Sequence, residues 1–460
     1  VIVGGIVGQV SRLERLVRQS QRDNRVPAVQ VALHRADRPL WTFQVGAAGP
    51  ATTLDEFTQF RIGSVTKTFT AVMVMQCRDE GLLDLDDPLG AHLAVPRHGD
   101  LTLRRLLSHT SGLQREPYGD IWDTLEVPNL ERTLADLARA EQVLPPARRF
   151  HYSNLGFALL GQVVAAKRGG TWEEVVTDRV LGPLRLDTVT VRPTDRAATG
   201  YLVDAYSDHA RPEPVTSLGA VGPAAELWGT ARDMARWAAF LADPAAIDPA
   251  GKVLAVDTME EMRFPLAMRD DLAWKTGFGL GLILSPREGR VLDIGHGGAM
   301  PGFLADVCGR CGPDVPPATG AAVLISSGTA VAALDLSRRM MDLALAEDPA
   351  QIEAWTPGEP APEMYRSALG RWWGEGFEYV FAWRKGRLEA RGADAPGDQP
   401  PAVFAPDGDP DLLRTVSGRE AGEQLRLARD SDGQVVRMHW ATYRFTRQQE
   451  TFDGIPASHP

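Results

Sequence analysis

Residues Ser64 to Glu80 follow a helical pattern that is apolar nearly all round, with Phe69, Val72, Met73 and Met75 distributed around it. A helix without a polar face has to lie inside the protein, so other elements must cover it from several directions. Gly81 ends it, as a glycine commonly ends a helix. The 460 residues allow two or three domains and a large buried core. Apolar residues at 44% and charged ones at 24% exclude a disordered chain. With 49 Lys and Arg against 60 Asp and Glu, the formal net charge is −11 and no basic run occurs, so nucleic acid is set aside as a partner. No apolar run approaches the ~20 residues of a membrane span. The stretch from Val1 to Gly8 is apolar but too short for an anchor, and it lacks the basic leader of an intact signal peptide. The compartment stays open on this reading, with the cytoplasm slightly ahead of secretion.

Three cysteines cannot build a disulfide framework in a chain of this size. Cys308 and Cys311 form a single C-x-x-C, which lacks the second pair of a zinc ribbon. They read as a glycine-rich turn ahead of the apolar run Ala321–Ile325, holding an incidental pair or a local disulfide, with a metal or redox role as the alternative.

Along the chain, Val10, Leu13, Leu16 and Val17 mark one face of a helix running to Asp23. Alternation at Val29, Val31 and Leu33, then at Trp41, Phe43 and Val45, predicts an antiparallel hairpin. Residues 85–240 read as mostly helical, with Pro and Gly breaks. Strand patterns return at Leu280/Leu282/Leu284, Val291–Ile294, Phe303–Val307 and Ala321–Ile325, before a closing helix over Leu334–Leu345. The fold class expected is therefore α+β: an antiparallel sheet completed by sequence-distant segments, flanked by helices, with an inserted helical lobe. Residues 355–362 are a Pro-rich linker of the stiff kind. After it, short alternating runs separated by turn signals predict a small antiparallel β-barrel over 363–460, leaving 1–354 as the catalytic domain.

Three motifs carry chemistry. Ser64 and Lys67 sit three residues apart, on one face of the buried helix, where an amine can activate a hydroxyl. The start of that helix offers unpaired N–H groups to a developing oxyanion. Tyr152-Ser153-Asn154 brings a phenol whose pKa a nearby ammonium would lower, and an amide suited to gripping a substrate amide. Taken alone, it also fits a tyrosine packed at a helix start with an Asx cap. His296-Gly297-Gly298-Ala299 follows an apolar strand, and its paired glycines let a substrate backbone approach the strand edge. Alone, it is also consistent with a glycine-rich hairpin.

In this order and at these separations the three motifs resemble those of the penicillin-recognising serine hydrolases, in the branch of class C β-lactamases, D,D-carboxypeptidases and esterases. Supporting stretches are Phe60 to Lys67, Glu80 to Pro88, Leu107 to Leu113, Trp228 to Ala235 and Gly277 to Gly281. Lys275-Thr276-Gly277 spells the K-T-G of β-lactamases but precedes the strand pattern Gly279–Leu284, whereas the third motif belongs on the following strand, which selects His296. His109 has no G-x-S-x-G elbow to serve, and no zinc or nucleotide motif occurs, so neither metal nor cofactor is expected.

The resemblance implies that Ser64 is acylated, that Lys67 and Tyr152 move its proton, and that the backbone N–H groups of Ser64 and Ala299 hold the oxyanion. It further implies that Asn154, Gly297 and Gly298 bind substrate, with His296 assisting deacylation or meeting a substrate carboxylate. Which of Lys67 and Tyr152 is the resting base stays open. A C-terminal barrel resembles the lipocalin-like modules of relatives that process D-peptides, among them penicillin-binding-protein-type thioesterases that cyclise peptides. The function implied is acyl transfer from a D-configured peptide or peptide thioester to water or an amine. An esterase or β-lactamase for small acyl groups is the alternative, and a silent binding protein a remote one.

Overall fold

Burial decides the arrangement of residues 1–351, the first of two units into which the chain divides. The computed structural model describes residues 2–50, 52–269, 272–352, 354–397 and 399–456, with side chains from residue 12 onward. Val1 and the side chains of residues 2–11 lie outside the described residues, and with them the apolar character read into the N-terminus and at Val10.

Helix α1 (Ile2–Asp23) leads into strands β1 (Ala28–His34) and β2 (Trp41–Gly46). A single 3-10 turn at Gly63–Val65 then opens helix α2 (Thr66–Asp79), in which every residue from Thr66 to Cys77 is buried. Its polar side chains are matched: Trp237 Nε1 donates to Thr68 Oγ1 at 2.8 Å, and Trp172 Nε1 donates to Thr70 Oγ1 at 3.1 Å. Phe69 stacks on the Trp237 ring at a centroid distance of 3.9 Å.

Helix α3 (Asn154–Arg168) packs on α2 within a lobe of short helices. The lobe ends earlier than its helical pattern implies, because helix α4 (Ala231–Ala242) lies on the sheet, against β1 and two later strands. Six further strands complete the sheet, β3 (Ala267–Met268), β4 (Gly277–Phe278), β5 (Ile283–Arg287), β6 (Val291–Met300), β7 (Phe303–Cys311) and β8 (Thr319–Ile325), of which α4 meets chiefly β7 and β8; helix α5 (Leu336–Glu347) follows. The sheet order is β2-β1-β8-β7-β6-β5-β4-β3, all antiparallel, so the N-terminal hairpin is completed by strands nearly 300 residues away, with Val29 opposite Ile325. Alternate residues face two cores. Ala28, Ala32, Ala322 and Leu324 join the core around α2 and α4, while Val29, Val31, Val323 and Ile325 meet Leu13 and Val17 of α1 and Met340 of α5.

Two sequence expectations are corrected. Residues 279–282 turn between β4 and β5 rather than belonging to a strand. Cys308-Gly309-Arg310-Cys311 lies in strand β7 instead of a turn, and all three cysteines are free thiols. Gly309 is there for close approach: a Cβ would come within 2.2 Å of the Ala238 carbonyl oxygen of α4.

The second unit, residues 352–460, is a closed antiparallel barrel. Its strands are β9 (Gly370–Gly374), β10 (Phe377–Arg384), β11 (Arg387–Gly392), β12 (Ala402–Asp407), β13 (Asp409–Ser417), β14 (Gln424–Arg429), β15 (Val435–Trp440) and β16 (Tyr443–Thr446). Pairing of Trp373 with Thr446 closes the ring. Its interior is filled by side chains, among them Trp372, Phe381, Leu388, Phe404, Met438, Trp440 and Phe445.

Candidate active site

Local structure brings the three motifs to one cleft. Ser64 sits in the 3-10 turn, half-buried, one turn ahead of the fully buried Lys67. Ser153, rather than Asn154, caps α3, its Oγ accepting from the Gly156 N–H at 3.0 Å. Tyr152 is thereby held just outside that helix and Asn154 at its first position. His296, Gly297, Gly298 and Ala299 lie within β6, which runs on to Met300 rather than stopping at Ile294. Strand β5 pairs with β6 only as far as Gly295. Among the described residues, the β6 edge from His296 onward that faces away from β7 therefore has no strand partner.

The two glycines serve different ends. A Cβ on Gly298 would stand 1.9 Å from the Ile62 carbonyl oxygen, whereas one on Gly297 would find its nearest neighbour at 3.7 Å. Gly298 thus lets β6 press against the backbone just before Ser64, and so sets where Ala299 stands.

Lys67 Nζ lies 3.1 Å from Ser64 Oγ, 2.7 Å from Asn154 Oδ1 and 2.8 Å from the Ala224 carbonyl oxygen. An amide oxygen and a carbonyl can only accept, so two N–H bonds are committed to them and the third position of the amine faces the serine. Burial pushes the Lys67 pKa well below its ordinary value; Glu116 opposes the shift and Arg115 adds to it.

Tyr152 differs from expectation. Burial raises its pKa, with the hydrogen bond to Ser64 acting the other way, so the phenol keeps its proton. Lys67 Nζ stands 4.9 Å from the Tyr152 ring centroid, and burial outweighs what a neighbouring cation would do to the phenol. The Tyr152 hydroxyl is 3.4 Å from His296 Nε2, and His296 Nδ1 is 2.5 Å from the Gly297 carbonyl oxygen. That carbonyl fixes the proton on Nδ1 and leaves Nε2 to accept from the phenol. Burial, with the Lys67 charge adding, lowers the His296 pKa to about 3, so the imidazole is neutral.

The cleft, of about 1150 Å³, is lined by Ser64, Tyr152, Asn154 and the β6 edge, with apolar walls from Trp122, Phe150, Phe278, Ile283 and Leu334. Lys275 is exposed just ahead of β4, while Thr276 lines the cleft. His109 is buried behind Tyr152, ring centroids 4.2 Å apart, its Nδ1 accepting from the Ser153 N–H. Among the described residues, no group of three or more His, Cys, Asp or Glu side chains is arranged to hold a metal ion. No helix among them is long and apolar enough to cross a membrane.

Sequence reasoning missed three participants. The Ala224 carbonyl is main chain and leaves no residue-type signal. His109 was recognised only as a residue with no triad to serve. Glu116, whose Oε1 accepts from Asn154 Nδ2 at 2.6 Å, comes from a loop that no motif marks.

Comparison with known proteins identifies the family and the fold. The Beta-lactamase family profile matches residues 13–309, and the profile of a domain of unknown function (DUF7586) matches residues 361–447. Penicillin-binding protein 4 of Amycolatopsis lactamdurans is 32% identical over 337 residues, covering 68% of this chain and 84% of that protein. The chain spans about half the length of other curated relatives it matches, 49% in two of them. Among solved structures, SurE with D-Leu is 25% identical with a TM-score of 0.59, covering 96% of this chain and 99% of that one. The D-amino acid amidase of Ochrobactrum anthropi SV3, complexed with D-phenylalanine, is 21% identical with a TM-score of 0.60 over 74% of this chain and 98% of that one.

Proposed function

This chain belongs to the beta-lactamase family of serine hydrolases, and from that premise we propose that it transfers the acyl group of a D-configured peptide donor through an ester on Ser64. The observation that carries the reading is the Ser64–Lys67 contact at 3.1 Å, made by an amine whose other two hydrogen bonds end on acceptors. Ser64 Oγ attacks the donor carbonyl carbon while its proton passes to the Lys67 amine. The backbone N–H groups of Ser64 and Ala299 receive the oxyanion. The bond to the leaving group breaks as Tyr152 gives that group a proton, and Lys67 then returns a proton to Tyr152. One proton has moved from serine to leaving group, and the centre is back in its resting charge state. Water or an amine repeats the sequence in reverse, and His296, neutral, keeps the phenol oriented.

The β6 edge at Gly297 and Gly298 suits an extended donor backbone, Asn154 keeps one amide N–H for it, and the apolar cleft walls suit a bulky side chain. D-configuration is favoured by the relatives: a D-amino acid amidase complexed with D-phenylalanine and a structure holding D-Leu share this fold.

The test is intact-mass analysis after exposure to paired peptide thioesters ending in a D- or an L-residue. The expected result is a Ser64 adduct from the D donor only, abolished in Ser64→Ala. Cyclic product marks an amine acceptor and free acid marks water. Turnover confined to short aryl esters would replace the peptide reading with an esterase, and full activity in Ser64→Ala would refute acyl transfer at this residue.

A further inference from the structure

Acyl transfer as proposed leaves one half-buried carboxylate of the cleft without a task. Glu116 lines the cleft, yet its Oε2 is buried and has no hydrogen-bond partner, while Oε1 accepts from Asn154 and stands 3.5 Å from the exposed Arg115 guanidinium. Its location is built rather than incidental. The Arg115 carbonyl accepts from the Asn154 N–H at 2.7 Å and the Leu155 N–H at 3.1 Å. Ser153 Oγ donates to the Gln114 carbonyl at 2.7 Å, and Gln114 Nε2 donates to the Glu116 carbonyl at 2.8 Å. The loop at residues 114–116 is thus sewn to the start of α3, and the carboxylate arrives beside Asn154 as a consequence.

From there a continuous hydrogen-bond path leads to the nucleophile: Glu116 to Asn154 at 2.6 Å, Asn154 to Lys67 at 2.7 Å, and Lys67 to Ser64 at 3.1 Å. A side-chain amide has two orientations of nearly equal shape. A carboxylate only accepts, so Glu116 selects the orientation with Nδ2 toward itself and Oδ1 toward Lys67. In the opposite orientation two donors would meet at Lys67 and the amine would lose its anchor. The carboxylate also brings a negative charge to within one side chain of that amine.

We infer that Glu116 is a positioning residue of the acyl-transfer centre: it locks the Asn154 amide so that Lys67 is held against Ser64, and its charge sets the fraction of Lys67 present as free amine. This rests on the proposed role of Lys67 as the base that receives the serine proton. The groups facing Lys67 are Glu116 and Arg115 from the loop, His109 from the preceding lobe segment, Tyr152 ahead of α3, and His296 from β6. Glu116 is the one anion among them. Removing it disfavours the ammonium, so the base form of Lys67 persists to lower pH.

The experiment uses the full chain and a tagged fluorophosphonate, which labels an activated serine irrespective of substrate class. The second-order rate of Ser64 labelling is followed from pH 5 to 10, with thermal melts as the folding control. Glu116→Gln keeps an acceptor for Asn154 but removes the charge. The rising limb is expected to move down by roughly one pH unit with little change in the limiting rate. Glu116→Ala also frees the amide, and a further fall of about tenfold in the limiting rate is expected. A limb unmoved in folded Glu116→Gln overturns the inference while leaving acyl transfer intact. A wild-type Ser64 that takes no label at any pH overturns the proposed function, and this inference with it.

Discussion

Gly298→Ala tests whether the oxyanion geometry is set by the contact between β6 and the turn that carries Ser64. The added Cβ would stand 1.9 Å from the Ile62 carbonyl oxygen, so the two backbones must part by about 1.1 Å to reach even a 3.0 Å contact. Ile62 immediately precedes the Ser64 turn and Ala299 immediately follows Gly298, so that separation falls between the two N–H groups meant to grip one oxygen. Losing such a donor costs about 2.7–4 kcal/mol, and a misplacement of ~1 Å alone costs about a hundredfold, so Ser64 acylation should slow by about 10²–10³-fold. The companion variant Gly297→Ala places its Cβ 3.7 Å from the nearest atom and should stay within a few-fold of wild type. Stopped-flow acylation with an activated ester, read beside thermal melts of both variants, separates lost alignment from lost fold. Equal rates for Gly298→Ala and wild type, or equal damage from Gly297→Ala, would refute the argument.

His296 has a folded-state pKa of about 3 against an ordinary 6.5, and His109 is shifted the same way, so the unfolded chain binds more protons below pH 6.5. Stability should therefore fall as pH drops from 6.5 toward 3, in urea melts, with a shallower slope in His296→Gln; a pH-independent midpoint would contradict it. Cys308 and Cys311 are three residues apart on a strand, about 10 Å along it and beyond the ~7 Å a disulfide spans, so Ellman titration of the unfolded, unreduced chain should count three thiols. Arg310, 4% exposed, donates two hydrogen bonds to Asp293, itself 1% exposed, at 2.6 and 3.0 Å. Arg310→Met leaves that carboxylate with the Arg287 guanidinium at 3.2 Å and Arg338 at 3.7 Å, and loss of its two buried bonds should lower stability by about 1–3 kcal/mol in denaturant titration, without altering Ser64 labelling of the protein that remains folded.

What could be read from residue types is what depends on periodicity. Ser64 and Lys67 are neighbours because a helix repeats every few residues, and the burial of α2 follows from its lack of a polar face. His296 was separated from Lys275 by strand order alone; His296 lies within β6, and Lys275 lies ahead of β4 with β5 between them. Glycine was the source of error. Gly309 and Gly298 were taken for turn formers or substrate clearance, yet each is small because another backbone lies against it, Ala238 in one case and Ile62 in the other. A residue chosen for what is absent from its side chain carries no mark of which neighbour required the absence. The same limit hid Ala224 and Glu116. One acts through a main-chain carbonyl that every residue possesses, and the other through a loop whose place is set by carbonyl groups meeting the start of α3. The charge state of the centre was equally hidden, since it depends on burial around Lys67 and Tyr152 rather than on their spacing. A nearby ammonium was expected to lower the phenol's pKa; burial instead raises it, and the same burial lowers that of Lys67.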